Sequence, residues 1–545
     1  MKKIALLLAI SATAVAAAQD LSTEVVVDRT VVPAERGATR LGGLSPQLVL
    51  PAITTQSLTP VDYTGLSAIT RTYSRLSPAR GAFAADKTPY RGYAGIGYFP
   101  TLNLGVSAGY RFIDSDRMNL GAAVQFDGER YKPFSFEGVE KPFVLQSYSA
   151  RAAVGFGYRV TDTSTISAGL SYDFLRQGSY MWGLVNTGDF GIDLSWRSKA
   201  GIVDYTVDAR LSFESNGDTD FRPLLDPANA VAVPGLGQQQ YIVEAEGSAP
   251  VMDNSRAGIA LDADFVHTSG LAEGIEATLG TVGVTPFYQL TISNLTARVG
   301  VKVDFAAGGN GSKVSVAPEV NVQWDAAELA SMWVTATGGE VMNPFNRMRQ
   351  LCQYQIFAAP FGRSRIPLRL EAGLNFGPFS GFTFGLFGGY AKAKEWYVPA
   401  YRDIQPFTER EISGWHAGVK MGYSHRLFDI SAGAQAAPSE YAHSWIDFYD
   451  GARYVVDAEA TVHPVDRLDI TLGYEWRDHR FATDDPDERY SLGNKSDLRL
   501  SVSYGITPAL TVYARAENLL GHRYEILPFI SSQKQTGLIG LSVKF

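Results

Sequence analysis

The 545-residue chain contains a single cysteine, Cys352, so an internal disulfide is excluded and the fold must be held by other means. Its seven histidines, His267, His416, His425, His443, His463, His479 and His522, are scattered, with no HExxH motif and no paired spacing for a metal. The glycine turn GGNG at 308–311 lacks the Lys-Ser/Thr and the following helix that phosphate cradling requires. The acidic run Asp484–Arg489 lacks the ligand spacing of a dedicated calcium loop and reads as a solvated loop. Catalytic constellations are absent as motifs, so neither an enzyme nor a cofactor is expected. With 48 basic against 56 acidic residues the net charge is -8, which argues against nucleic acid as a partner and is too modest for a disordered chain. No composition break or Ser/Gly linker divides the chain, and one large unit is the simpler organisation.

Long apolar runs are also missing after the first residues. The start, MKKIALLLAISATAVAAAQ, has a basic Lys2-Lys3, an apolar stretch from Ile4 to Ile10 and small residues Ala16, Ala17 and Ala18 before Gln19. This pattern predicts a secretory signal over residues 1–18. Nothing beyond it is long and apolar enough for a transmembrane helix. A β-barrel nevertheless crosses lipid on short strands whose backbone groups pair with their neighbours, and its hydropathy signal is weak.

Alternation is what the sequence has in abundance. In DRLDITLGYEWRD, residues 466–478, Leu468, Ile470, Leu472, Tyr474 and Trp476 hold the even positions, and Asp469, Thr471, Glu475 and Arg477 the odd ones. A period of two is a β-strand with one apolar and one polar face. The pattern returns in FGIDLSWRS, VDYTVDARLSFE, LTARVGVKVDF and LRLSVSYGI, with aromatic residues where the apolar face ends. Apolar residues facing lipid, charges facing a watery lumen and aromatic belts at both interfaces define an outer-membrane barrel. About 22 such strands are expected over residues 91–545, joined alternately by short periplasmic turns and long external loops. The fold class expected is therefore all-β, a large antiparallel transmembrane β-barrel in the bacterial outer membrane. The lumenal charges, among them Asp193, Arg210, Arg298, Lys302, Asp304, Glu475, Arg477 and Arg499, are expected to pair with one another, both signs being interspersed.

The carboxyl end carries a family resemblance. TGLIGLSVKF places Ile539, Leu541, Val543 and Phe545 on one face, similar to the terminal signal by which outer-membrane barrels are handed to the barrel-assembly machinery. VYARAENLLGHRYEI, residues 512–526, followed by GLIGLSVKF, resembles the last hairpin of TonB-dependent receptors. The resemblance implies an outer-membrane receptor or transporter. Near the mature start, STEVVVDRTVV is similar to the extended TonB box that adds a strand to a TonB-type energy transducer, with Thr23, Glu24, Val25, Val26 and Val27 at the matching positions. Residues 19–90, punctuated by Pro33, Pro46, Pro51, Pro60, Pro78 and Pro89, are fewer than the plug of that family needs, so an irregular periplasmic or lumenal segment without a full plug is expected.

A barrel this wide breaches the membrane unless something fills it. The loop EVMNPFNRMRQLCQYQIFAAPFGRSR offers Arg347, Arg349, Arg363 and Arg365 as a constriction that attracts anions; the alternative is an external loop whose arginines meet solvent or lipid headgroups. The favoured function is transport of a small solute or nutrient. Its competitor is a non-transporting structural or docking subunit among other outer-membrane proteins, and a barrel-rim enzyme comes third.

Overall fold

The computed structural model describes residues 90–545 apart from 100–102, 132–143, 179–183, 222–230, 272–277, 309–310, 328, 352–356, 358, 400–406, 438–451, 479–490 and 528–529. The signal, the 19–89 segment with Thr23, Glu24, Val25, Val26 and Val27, Cys352, His443, His479 and Asp484–Arg489 lie outside the described residues.

Alternating segments become strands where the pattern places them. The barrel strands are β1 (Gly92–Phe99), β2 (Asn103–Asp114), β3 (Met118–Tyr131), β4 (Leu145–Thr161), β5 (Ser164–Gly178), β6 (Leu184–Ala200), β7 (Val203–Asn216), β8 (Gly237–Met252), β9 (Ser255–Ser269), β10 (Thr278–Ile292) and β11 (Leu295–Ala307). They continue as β12 (Lys313–Ala327), β13 (Ala330–Val341), β14 (Ser364–Phe379), β15 (Phe382–Pro399), β16 (Phe407–His425), β17 (Phe428–Ala436), β18 (Tyr454–Val465), β19 (Leu468–Asp478), β20 (Lys495–Gly505), β21 (Leu510–Glu517) and β22 (Thr536–Lys544). These 22 strands form one antiparallel sheet, each paired with its chain neighbours, and β1 pairs with β22 through Ile96 opposite Leu541 to close the ring. Closure leaves no edge strand with unpaired backbone groups, which is the condition for standing in hydrocarbon.

The apolar face points outward. On β19, Leu472 is 46% exposed, whereas Thr471 and Glu475 on the other face are 5% and 3% exposed. A protein interior would bury the leucines; only a lipid-facing exterior explains the reverse. Exposed outward aromatics form two girdles, Tyr158, Trp196, Tyr288 and Tyr504 toward the short turns and Phe190, Phe265, Tyr390 and Trp415 toward the long loops. The hydrocarbon zone lies between them.

The two ends differ as the asymmetry of barrel loops requires. Turns at 162–163, 201–202, 253–254, 293–294, 380–381, 426–427 and 466–467 are two residues long, while the other end carries 217–236, 342–363 and 518–535. Both ends of the barrel chain meet on the short-turn side, where the Gly92 amide donates to the Phe545 carbonyl at 2.8 Å and the Phe545 amide returns to Gly92 at 2.9 Å. Ile539, Leu541 and Phe545 of the terminal pattern are exposed on the outer face, and Val543 shares it.

β14 begins at Ser364, three residues before Pro367, and carries that proline in a bulge, the register slipping between Arg365 and Leu368. A bulge leaves one residue without a ladder partner and so tolerates a missing N–H.

Candidate functional site

Register, which no sequence pattern displays, assembles the lumen wall. Asp208 of β7 stands opposite Glu244 of β8, Glu244 opposite Asp262 of β9, Asp262 opposite Gly283 of β10, and Gly283 opposite Asp304 of β11. Four carboxylates thus share one row. Gly283 makes room: a Cβ there would overlap the carboxylates of both Asp262 and Asp304. Lys302 answers the row, its Nζ lying 3.1 Å from Asp262 Oδ2 and 3.5 Å from Asp304 Oδ1. The Glu340 amide also donates to Asp304, at 2.8 Å. Next to this row Arg298 grips both oxygens of Glu246 at 2.9 and 3.0 Å, with its guanidinium 3.6 Å above the centre of the Phe287 ring. A forked guanidinium on a carboxylate, stacked on an aromatic face, is among the stronger charged contacts.

On another stretch of wall the order is similar. Asp457, Glu475 and Asp497 are cross-strand partners on β18, β19 and β20. Glu475 accepts from Arg477 at 2.6 Å and Lys495 at 2.8 Å, and Arg499 approaches to 3.7 Å. Glu371 lies 3.3 Å from Arg369 and 3.1 Å from His416 Nε2. Arg210 donates to Asp193 at 2.7 Å. The expected mutual pairing of lumenal charges is what these contacts contain. Near the short turns, His463 sits between Asp469 at 2.6 Å and Asp429 at 3.0 Å. Among the described residues, no group of three histidine, cysteine or carboxylate side chains is placed to hold a metal ion.

The described part of the long connection after β13 packs against the long-loop end of the wall. Its helix α1 (Phe345–Leu351) buries Phe345 and Met348 completely, against Leu236, Phe357, Phe361 and Phe407. The four phenylalanines meet at centroid distances of 4.9 to 6.3 Å, mostly edge to face. The Phe345 amide donates to Gln238 on β8, and Asn343 donates to the Gly362 carbonyl and Ser364, so the loop is tied to the wall and to itself.

The four arginines of this loop separate. Arg349 donates to Glu214 and Asn216 on β7, Arg363 to the carbonyls of Ala307 and Gly311, and Arg347 to the Met342 carbonyl, its guanidinium 5.3 Å from the Trp396 ring centre. Those three therefore fasten the loop. Arg365 differs: it is partly exposed between two buried neighbours, Ser364 and Ile366, and its register opposite the exposed Lys394, beyond the bulge at Pro367, puts it on the outer face of β14. Its sequence context, a basic cluster in one loop, carried no signal of that difference.

No family model and no curated protein matches the chain. Among solved structures the chain is similar to the FrpB iron transporter from Neisseria meningitidis, at 11% identity and a TM-score of 0.63, over 84% of this chain and 81% of that one. It is also similar to a mutant of the ferric enterobactin receptor from Pseudomonas aeruginosa, at 9% identity and a TM-score of 0.61, over 84% of this chain and 80% of the other. At such identities the likeness is one of fold.

Proposed function

We propose that this chain, whose barrel has the fold of the TonB-dependent receptors, resides in the bacterial outer membrane and moves a small solute or nutrient across it. One observation carries the reading: a closed 22-strand barrel with a charged lumen wall, built like an iron transporter and a ferric enterobactin receptor. The paired lumenal charges give a solute a hydrated, rigid wall in place of a greasy one. In this reading Ile539, Leu541, Val543 and Phe545 hand the chain to the barrel-assembly machinery. Thr23 to Val27 engage a TonB-type transducer that energises uptake. The test is uptake by cells expressing the full chain or a chain lacking residues 19–30. Solute-specific uptake that is lost on the deletion supports energised transport; uptake that survives it removes the transducer from the reading. No solute-specific uptake by the full chain overturns transport.

A second reading, a non-transporting structural or docking subunit, is favoured by the loop after β13: Arg347, Arg349 and Arg363 are spent on tying α1 and its loop down. Other outer-membrane proteins that co-purify stoichiometrically in mild detergent, with no uptake, support it.

A further inference from the structure

The outer face of the barrel carries an apolar depression of about 740 Å³ running across β13 to β19. Ala372, Ala417 and Ala436 line it. With Gly388 they are successive cross-strand partners on β14 to β17, all outward by parity, so four neighbouring strands offer no side chain larger than a methyl group in one row. Met332, Leu374, Leu386 and Val419 wall it on the short-turn side. On the long-loop side Tyr390 and Trp415 stand directly opposite each other, 40% and 49% exposed, and mark the edge of the hydrocarbon. A chain-like apolar molecule lying beneath that girdle fits such a trough.

Beyond the same girdle the outward parity brings Lys392, Lys394 and Arg365 together. Arg365 and Lys394 are direct cross-strand partners, and neither has an ion pair among the described residues. Like charges placed directly opposite repel, and a further anion between them relieves that cost. Two carboxylates flank the pair. Glu411, held by Lys392 at 2.6 Å, also adjoins Lys394, and Glu340, opposite Arg365 on its other flank, forms no ion pair. At this height, just past the aromatic belt on the long-loop side, lipid headgroups of the outer leaflet are what the protein meets.

We propose that this face is a binding site for a phosphorylated acyl lipid of the outer leaflet, with a phosphate bridging Arg365 and Lys394 and an acyl chain lying in the trough over Ala372, Gly388, Ala417 and Ala436. The site lies outside the lumen and is independent of what the barrel transports. It gives Arg365 a role that the other three arginines of the loop do not share.

Native mass spectrometry of the full chain, purified in a neutral detergent and incubated with diphosphorylated lipid A or with phosphatidylcholine, tests it. The wild-type protein is expected to retain lipid A in preference to phosphatidylcholine. R365Q combined with K394Q lowers that retention by on the order of thirtyfold, from the usual worth of a cation at an anionic surface. A417W fills the trough, leaves both cations in place and also loses the lipid, whereas R130Q, at the long-loop end of β3, leaves retention unchanged. The heat-modifiable gel shift of a folded barrel checks each variant, and A417W keeps the test open should the double variant not fold. Equal retention of the two lipids by the wild type, undiminished retention by either folded variant, or displacement of the lipid by inorganic phosphate alone overturns the proposal.

Discussion

Glu475 shows what a lumenal residue contributes. It is 3% exposed, and Arg477 and Lys495 both donate to it while Arg499 stands 3.7 Å away. Removing the carboxylate takes from three cations the anion they share, leaving Asp457 and Asp497 as the cross-strand carboxylates beside them. Glu475→Gln should therefore lower barrel stability by about 3 kcal/mol, the usual cost of breaking a buried charge pair. Urea titration of the refolded barrel in detergent checks this, and a change within error of zero would show the cluster to be well hydrated. The sequence exposed Glu475, Arg477 and Arg499 as lumen-facing by parity alone. It did not show that Lys495, one strand away, reaches the same carboxylate, because that contact exists only through the β19–β20 register.

At the scale of elements, glycine and aromatic residues work as pairs across strands. Trp333 of β13 lies over Gly373 of β14, and Phe387 of β15 lies over Gly418 of β16, their cross-strand partners. A Cβ at Gly418 would overlap the Phe387 ring. Covering a glycine with a neighbouring ring supplies the packing that the missing side chain cannot. Gly418→Val should cost on the order of 1–3 kcal/mol by overpacking and lower the urea midpoint accordingly. The loop after β13 makes a separate prediction. Arg349→Ala strips the partner from Glu214, itself 5% exposed, and loosens α1 from the wall. Limited proteolysis within 342–363 should then accelerate by on the order of a hundredfold, since cleavage follows the population of the opened loop. The four arginines looked equivalent in sequence; three of them tie down the loop that carries Phe345, Phe357 and Phe361, while the bulge at Pro367 and the register with Lys394 set Arg365 on the outer face.

For the molecule as a whole, the decisive quantity is the solvent on the outside. Leu472 and Thr471 are sequence neighbours on opposite faces, one in hydrocarbon and one in the lumen. Leu472→Arg should destabilise the folded barrel by about 2–4 kcal/mol, as a charge on the lipid face near the membrane centre does. Thr471→Ser, on the lumenal face, keeps the hydroxyl that meets Thr461 and should change it by about 0.8 kcal/mol, the worth of one buried methyl group. Unfolding of both variants in lipid vesicles measures the difference, and the same cost at both positions would contradict a lipid-facing exterior.

Alternation by itself determined the class, the strand number and the outward face, because a side-chain period of two is a local property of extended backbone and recurs strand after strand. Turn length likewise announced which end is which. The tertiary structure alone decided the rows: Asp208, Glu244, Asp262 and Asp304 lie far apart in the chain and meet only once register is set. The same holds for the Arg365–Lys394 pair and for the trough of small residues beneath it. Register depends on how every strand of a closed ring slides against the next, and that sum is not written in any one stretch of residues.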